Sequence, residues 1–158
     1  MTTTDSRVDY ADFTRILPGA QPALLALGKA AGDAGLDKAL SELVKIRVSQ
    51  INGCTFCLRY HLDLARGLGV AQDKLDLVAC WRDAGLFDAR EQAALAWAEC
   101  LTEIGPDGVP EPLHAALRAV FTETEIVALT AAIATINAWN RLGVGLRFAP
   151  SLRSREAA

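Results

Sequence analysis

Two helical patterns that meet at an Asn-Gly dipeptide constrain the fold of this chain more than any other feature of its sequence. In the first pattern, apolar residues recur at helical spacing between Leu40 and Ile51, and Asp37 stands where a helix N-cap is expected. Asn52-Gly53 is a strong helix break, and a second helical pattern begins directly after it. We therefore expect two helices that reverse direction at this turn and pack as an antiparallel hairpin.

The remainder of the chain has the same helical character. Further helices are expected at about Pro22 to Ala31, from the Cys-containing segment to Gly67 or Gly69, at Gln72 to Trp81, Asp88 to Ile104, Leu113 to Phe121 and Thr122 to Asn140, with Gly143 and Gly145 ending the last one. The pairs Asp88/Glu91 and Thr122/Glu125 have capping-box spacing. No window alternates strictly between apolar and polar residues, so we predict an all-α fold of about seven helices.

Length and composition predict one globular domain over residues 1–158, with loose tails at 1–10 and 151–158. The chain is 51% apolar and 22% charged, with a formal net charge of only −3. Because it has no basic run we expect no nucleic-acid partner, and because it has no long apolar run we expect no membrane span. The first residues lack the pattern of a secretory signal, which predicts a cytoplasmic protein. In that compartment a Cys-x-x-Cys pair is more often catalytic or metal-binding than a structural disulfide.

Four residues with reactive side chains are gathered around the turn, namely Glu42, Cys54, Cys57 and His61. Glu42 lies roughly 16 Å before the turn and His61 roughly 12 Å after it, so the two side chains can approach each other across the hairpin. Cys57 and His61 are one helical turn apart and share a face. The expected order toward the turn is carboxylate, imidazole, thiol and thiol, which is that of a proton relay ending at a thiol pair.

Glu42 lies in a helix that is apolar on more than one side, which predicts a partly buried carboxyl group. Burial would raise its pKa toward the value of a useful general base. Two simpler alternatives stay open: a solvated side chain, and an ion pair with Lys45 three residues later.

Both cysteines lie in the first turns of their helix, where the helix dipole and free N–H groups favour a thiolate and the spacing allows a disulfide. The helix start favours Cys54 as the activated thiol, whereas a proton-accepting His61 favours Cys57, and the residues alone leave both open. A zinc site made from these residues and Glu42 is a weaker alternative, because four ligands from one hairpin would be cramped and no second ligand pair is present. A pair of inert core cysteines is also less favoured, because His61 lies one turn away.

The spacing Glu, eleven residues, Cys-x-x-Cys, three residues, His resembles the core motif of the alkylhydroperoxidase AhpD-like proteins of the carboxymuconolactone decarboxylase superfamily. The motif here comprises Glu42, Cys54, Cys57 and His61, with the run S-Q-I-N-G-C from Ser49 to Cys54. Further resemblance to the single-domain members lies in Trp81-Arg82, in REQAALAWAECLT from Arg90 to Thr102, and in INAWNRL from Ile136 to Leu142.

The resemblance implies an all-helical fold, assembly as a homotrimer or homohexamer, and cofactor-free reduction of hydroperoxides in antioxidant defence. It also implies roles: Cys57 attacks the peroxide, and Cys54 supplies a proton and then closes the disulfide. Glu42 and His61 would relay protons, and a lipoyl-bearing or thioredoxin-like dithiol protein would reduce the disulfide. Phe56 departs from the pattern, because better-known AhpD proteins carry a His immediately before the second Cys; the strength of the activity and the choice of reductant therefore stay open.

Two other functions are weighed against the peroxidase. One is a redox-sensing oligomer in which the disulfide controls contact with a partner and turnover is negligible. The other is an enzyme of the carboxymuconolactone decarboxylase type, although that branch typically lacks the Cys-x-x-Cys pair.

The remaining conspicuous residues have structural interpretations. Small core residues are expected at Cys80 and Cys100, and core or interface anchors at Trp81, Trp97 and Trp139.

Structural interpretations also apply to the second histidine and to four other polar or charged residues. His114 is expected at the surface or at a cap, and Arg47, if buried, must be paired and is a candidate for an interface salt bridge. Asn137, Asn140 and Arg141 are expected to hydrogen-bond a neighbouring helix or subunit rather than to act in catalysis.

Overall fold

The computed structural model describes residues 6–151, and the regular structure in that range is helical. The α-helices are α1 (Tyr10–Ile16), α2 (Ala20–Asp33), α3 (Lys38–Ile51), α4 (Thr55–Gly67), α5 (Gln72–Leu77), α6 (Ala89–Thr102), α7 (Glu111–Arg118) and α8 (Glu123–Leu146). A short 3-10 helix, Val78–Cys80, follows α5. The all-α prediction is confirmed, and both predicted capping boxes are formed at the starts of α6 and α8.

Helices α3 and α4 form the predicted hairpin. The carboxylate of Asp37 caps α3 by accepting a hydrogen bond of 2.8 Å from the backbone N–H of Leu40. The turn after α3 has a left-handed φ of 67° at Gly53, which glycine adopts without steric cost. The backbone N–H of Cys54 then donates to the carbonyl of Ser49 (3.0 Å), and α4 starts at the next residue.

Helix α3 lies at the centre of the fold because it is apolar on two sides, as predicted. One side contributes Val44 and Val48 to a core cluster shared with α6 and α8. The other side contributes Leu43 and Ile46 to a second cluster, which includes Trp81. The helix that carries Glu42 is therefore enclosed by neighbours and holds its polar groups in fixed positions.

The N-terminal segment differs from the prediction of a loose tail over residues 1–10. The backbone N–H groups of Arg7 and Val8 donate to the carbonyl of Leu146 (3.0 and 3.2 Å), and α1 follows directly. Helix α1 has only seven residues and buries only Phe13, so its sequence periodicity is too weak to predict a helix. The tails expected at 1–5 and 152–158 lie outside the described residues.

The end of α8 also differs from the prediction, because the helix continues past Asn140 to Leu146. Gly143 lies inside the helix, and a Cβ atom built there would come within 2.7 Å of the Sγ atom of Cys54. This glycine makes room for a thiol instead of ending a helix. The helix ends at Arg147, which adopts a left-handed conformation with φ of 56°.

Two further expectations are corrected by the packing. Cys80 is exposed rather than buried because it lies in the short 3-10 helix at the surface, and Cys100 is half-buried. Arg47 is paired, as its partial burial required, and its partner lies within the chain: the guanidinium donates to the carboxylate of Glu99 on α6 (2.6 Å). Of the tryptophans, Trp81 and Trp97 are buried as predicted. Among residues 6–151, no helix has both the length and the hydropathy that crossing a bilayer requires.

Candidate active site

The two sulfur atoms of the Cys-x-x-Cys pair lie together at the start of α4, and both cysteines are reduced and buried. Cys54 is the N-cap residue of α4, and its Sγ accepts a hydrogen bond of 3.4 Å from the backbone N–H of Cys57. Gly143 of α8 lies against both sulfurs, since its Cβ position is 2.7 Å from one and 3.7 Å from the other. A helix start and a glycine on a second helix thus hold the thiol pair in a tight space.

The two thiols of the pair have very different pKa values. The hydrogen bond from the Cys57 thiol, aided by the backbone N–H groups of Cys57 and Phe56 and by the side chain of Asn140, overcomes burial and lowers the pKa of Cys54 to about 7. The same hydrogen bond to Cys54, together with burial and the negative charge of Cys54, raises the pKa of Cys57. Cys54 is therefore the thiol of the pair that ionises first, which agrees with the argument from the helix start and not with the one from His61.

Glu42 and His61 meet across the hairpin, and the predicted approach of these two side chains is confirmed. The Nδ1 atom of His61 lies 2.6 Å from one carboxylate oxygen of Glu42, and both side chains are buried. Lys45 contacts the other oxygen of the carboxylate at 2.7 Å. Glu42 is thus buried, as predicted, and is also paired with Lys45, whereas the alternative of a solvated side chain is wrong.

The expectation that burial would leave Glu42 with a raised pKa is wrong. Burial does raise the pKa of this carboxyl, but the hydrogen bond and charge of His61, together with Lys45, outweigh it and hold the pKa below its ordinary value. An ionised Glu42 accepts a hydrogen bond from Nδ1 of His61, which fixes the ring and leaves Nε2 available for proton transfer. Glu42 is therefore suited to orient His61 rather than to act as a base.

A cavity of about 510 Å³ lies between α2, α4 and α8 and reaches Cys57 and His61. Most of its lining is apolar, and the apolar and aromatic residues are Tyr10, Leu24, Leu25, Phe56, Tyr60, Leu64, Ala132, Ile136 and Trp139. Cys54 does not line it, because that sulfur lies behind its partner and is only 2% exposed as a residue. A molecule in the cavity therefore meets Cys57 before it meets Cys54.

Phe56, the residue that departs from the better-known AhpD pattern, lies in an aromatic cluster. Its ring centroid is 5.2 Å from that of Tyr10 on α1 and 5.4 Å from that of Phe148 after α8. An aromatic residue between the two cysteines thus packs both ends of the described chain against the site. This packing is the structural role that Phe56 has in place of a polar one.

The polar residues at the end of α8 contact the turn between α3 and α4, as predicted. The side-chain N–H of Asn52 donates to the amide oxygens of Asn137 and Asn140, both at 2.9 Å, and Arg141 donates to the amide oxygen of Asn52. The sequence did not predict that the Asn140 side chain also acts to lower the pKa of both thiols. A usable signal was that S-Q-I-N-G-C and I-N-A-W-N-R-L, the segments in contact here, both belong to the resemblance.

The second histidine stands apart from this site. His114 is half-exposed, its ring packs against Trp97, and its Nδ1 lies 3.7 Å from the carboxylate of Glu111, which confirms the predicted surface position. Across the part of the chain that the structure describes, no three His, Cys, Asp or Glu side chains form a group that could hold a metal ion.

Known proteins match this chain over most of its length. The model of the carboxymuconolactone decarboxylase family matches residues 18–99, a range that contains all four predicted site residues. YdfG of Bacillus subtilis (strain 168) is 31% identical over 140 residues, which are 89% of this chain and 93% of YdfG.

Solved structures have the same fold. A protein of unknown function from Agrobacterium tumefaciens, suggested to be an antioxidant defence protein AhpD, is 34% identical with a TM-score of 0.88, covering 94% of this chain and all (100%) of its own. A peroxidase-related protein with an alkylhydroperoxidase AhpD core, from Ralstonia eutropha JMP134, is 24% identical with a TM-score of 0.77, covering 89% of this chain and 75% of its own. The family match, the identity to YdfG and these folds agree, and the chain belongs to the carboxymuconolactone decarboxylase family, among its AhpD-like members.

Proposed function

We propose that this protein is a cysteine-dependent hydroperoxide reductase that serves antioxidant defence in the cytoplasm. The observation that carries the proposal is the placement of Cys57 and His61 on the wall of an apolar cavity, with Cys54 hydrogen-bonded directly behind Cys57. A cavity of about 510 Å³ has room for an organic hydroperoxide as well as for hydrogen peroxide. Glu42 supports this arrangement by holding His61 in one orientation.

The first half-reaction begins with a proton shift inside the thiol pair. The proton of Cys57 moves along the hydrogen bond to the Cys54 thiolate, so the negative charge passes to the sulfur that faces the cavity. The Cys57 thiolate attacks the terminal oxygen of the hydroperoxide, the O–O bond breaks, and Cys57 becomes a sulfenic acid. The departing alkoxide takes the proton from Cys54 and leaves as the alcohol.

The second half-reaction closes the disulfide. The Cys54 thiolate attacks the sulfur of the Cys57 sulfenic acid, and the S–O bond breaks to release hydroxide, which takes a proton from His61 and leaves as water. His61 accepted this proton from the thiol pair when the first thiolate formed, before the peroxide reacted. Glu42 stabilises the protonated imidazole until then. A dithiol protein, lipoyl-bearing or thioredoxin-like, supplies the two electrons and two protons that restore the thiols. No cofactor takes part in these steps.

Peroxide consumption with a dithiol reductant tests the proposal. The wild-type protein should lose two free thiols per equivalent of hydroperoxide and recover them when the dithiol is added. The Cys57→Ser variant should lose turnover, whereas Cys54→Ser should react once and retain a sulfenic acid that dimedone labels. Cys80→Ser is the matched control, because that thiol is exposed and does not line the cavity, and its turnover should equal that of the wild type.

The outcomes also separate the alternatives. Turnover that survives in Cys57→Ser and disappears in Cys54→Ser would reverse the roles of the two thiols. A disulfide that forms with peroxide but never turns over with either class of reductant would favour a redox sensor. Consumption of a carboxymuconolactone without any change in thiol content would favour the decarboxylase-type chemistry.

For assembly we propose that copies of the chain meet on α4, in the homotrimer or homohexamer that the resemblance implies. Tyr60 and Leu64 on that helix, with Leu68 at its C-cap, form an exposed apolar stripe at helical spacing. Leu68→Glu should therefore lower the sedimentation coefficient, whereas Leu77→Glu, at an equally exposed leucine on α5, should leave it unchanged. If both variants sediment like the wild type, the stripe is not the interface.

A further inference from the structure

A line of side-chain amides leads from the protein surface to the thiol pair. Arg141, at the surface, donates to the amide oxygen of Asn52, and the amide N–H of Asn52 donates to the amide oxygen of Asn140 (2.9 Å). Asn140 is fully buried, and its own N–H group donates to the hydroxyl oxygen of Ser49 (3.2 Å). Each amide in the line therefore accepts on its outer side and donates on its inner side.

This line fixes the orientation of the Asn140 side chain. Its oxygen is occupied by the N–H of Asn52, so the NH₂ group must point the other way, and one of its two hydrogens goes to Ser49. The second hydrogen remains available, and the thiols lie close by, because Gly143, one turn further along α8, lies against both sulfurs. In agreement with this placement, the Asn140 side chain acts to lower the pKa of both thiols. Asn140 does not line the cavity, so it approaches the sulfurs from within the protein and leaves the peroxide side free.

We propose that Asn140 stabilises the thiolate of the Cys54/Cys57 pair by donating its second side-chain N–H to sulfur, in an orientation that Asn52 maintains. A buried thiolate without such a donor would lose much of its solvation, because water is excluded from this position. The Asn140 side chain favours the charged form of both thiols, so we expect it to stabilise the negative charge before and after the proton shift from Cys57 to Cys54. That this stabilisation aids peroxide reduction rests on the proposed function, whereas the stabilisation of the thiolate itself does not depend on it.

Thiolate titration of the full-length chain carrying Cys80→Ser and Cys100→Ser tests the proposal, because only the pair then titrates. Thiolate absorbance at about 240 nm gives the first pKa of the pair, which lies near that of Cys54, about 7. Asn140→Ala in this background should raise it by about one unit, which lowers the thiolate fraction and the alkylation rate at neutral pH roughly five-fold. Asn137→Ala is the matched control: it removes the other amide bonded to Asn52 and should leave the titration unchanged.

A second measurement needs no change at Asn140 and so does not depend on the folding of that variant. In NMR spectra of the Cys80→Ser, Cys100→Ser chain, the side-chain NH₂ resonances of Asn140 should shift with pH at the midpoint of thiolate formation, and those of Asn137 should not. An unchanged thiol pKa in folded Asn140→Ala, or Asn140 resonances that do not respond to thiolate formation, would overturn the proposal. Neither readout uses peroxide, so a protein without turnover could still support the role of Asn140.

Discussion

Gly143 is the residue on which the packing of the thiol pair depends most directly. A Cβ atom at this position would lie 2.7 Å from the Sγ of Cys54, closer than two such atoms can approach. We expect Gly143→Ala to displace that sulfur and to lower the free energy of unfolding by about 1–3 kcal/mol, as overpacked cores do. Chemical denaturation with urea measures the change.

Gly145→Ala is the matched control for this prediction, because it lies in the same helix and has no atom within 4 Å of its Cβ position. It should be neutral or slightly stabilising, since alanine favours a helix. Adding Cys54→Ala to Gly143→Ala should recover part of the lost stability, because it removes the sulfur that the new methyl group meets. Equal stabilities of the two glycine variants would show that the site tolerates the methyl group.

The pairing of Glu42 with His61 predicts a pH-dependent contribution to stability. Because the pKa of Glu42 is lowered in the folded protein, its ionised form stabilises the fold at pH above the unfolded-state value of about 4.3. That contribution is lost as the pH falls through the lower folded-state pKa. Glu42→Gln should therefore cost about 1–3 kcal/mol of unfolding free energy at neutral pH, and the difference from the wild type should shrink in acid.

Glu111→Gln provides the comparison, since Glu111 lies beside His114 at the surface and is largely exposed. Its urea midpoint should follow that of the wild type at every pH. A Glu42→Gln variant whose deficit is the same at neutral and acid pH would contradict the assignment of an ionised, stabilising Glu42.

The site residues that were predicted and those that were missed lie in different parts of the chain. Glu42, Cys54, Cys57 and His61 lie within one hairpin, so helix geometry alone places them together. Asn140 and Gly143 reach the thiols from α8, and nothing in local spacing states which face of α8 docks on the turn. The pKa of Glu42 was misjudged because its sign depends on partner contacts that only packing reveals.

Helix α1 is the element whose contribution was least expected from the sequence. Its single buried residue, Phe13, packs against the rings of Tyr10, Trp139 and Phe148. Phe13→Ala should therefore cost about 3–5 kcal/mol of unfolding free energy, which is the range for a buried aromatic ring. Thermal or urea denaturation followed by circular dichroism gives the value.

The same helix offers its own control. Ile16 is 65% exposed, so Ile16→Ala should change the stability by less than about 0.5 kcal/mol. If Phe13→Ala proves as mild as Ile16→Ala, α1 is only loosely attached to α8 in solution.

The longer helices were predictable because they carry caps and sustained apolar faces. Asp37, the Asp88/Glu91 pair and the Thr122/Glu125 pair all cap helices as their spacing indicated. The end of α8 was predicted too early because glycine commonly ends a helix. Gly143 instead lies within α8, where a side chain would collide with the sulfur of Cys54. Short helices such as α1 depend on tertiary contacts that the sequence does not display.

At the scale of the whole molecule, two core clusters meet on opposite sides of α3, and we predict that they unfold as one unit. Trp81 belongs to one cluster and Trp97 to the other, with Trp139 packed against the latter. Trp81→Phe leaves tryptophan fluorescence only from the cluster that contains Trp97. The double variant Trp97→Phe, Trp139→Phe leaves it only from Trp81 in the other cluster. In each variant the fluorescence midpoint in urea should coincide with the midpoint by circular dichroism.

Separate midpoints for the two reporters would instead divide the chain into two cooperative units. That result would contradict the prediction of one domain over residues 1–158. Because α3 supplies Val44 to one cluster and Leu43 to the other, unfolding of α3 would disrupt both clusters.

The two ends of the described chain converge on the site, which matters for how the protein is handled in the laboratory. Arg7 and Val8 bond to the carbonyl of Leu146, and Tyr10 and Phe148 both pack on Phe56 between the cysteines. An affinity tag or fusion partner is therefore linked to segments that pack on Phe56, and rates are best compared before and after its removal. The same closeness makes the chain suitable for circular permutation, with the old ends joined and new ends opened in the turn between Gly105 and Gly108.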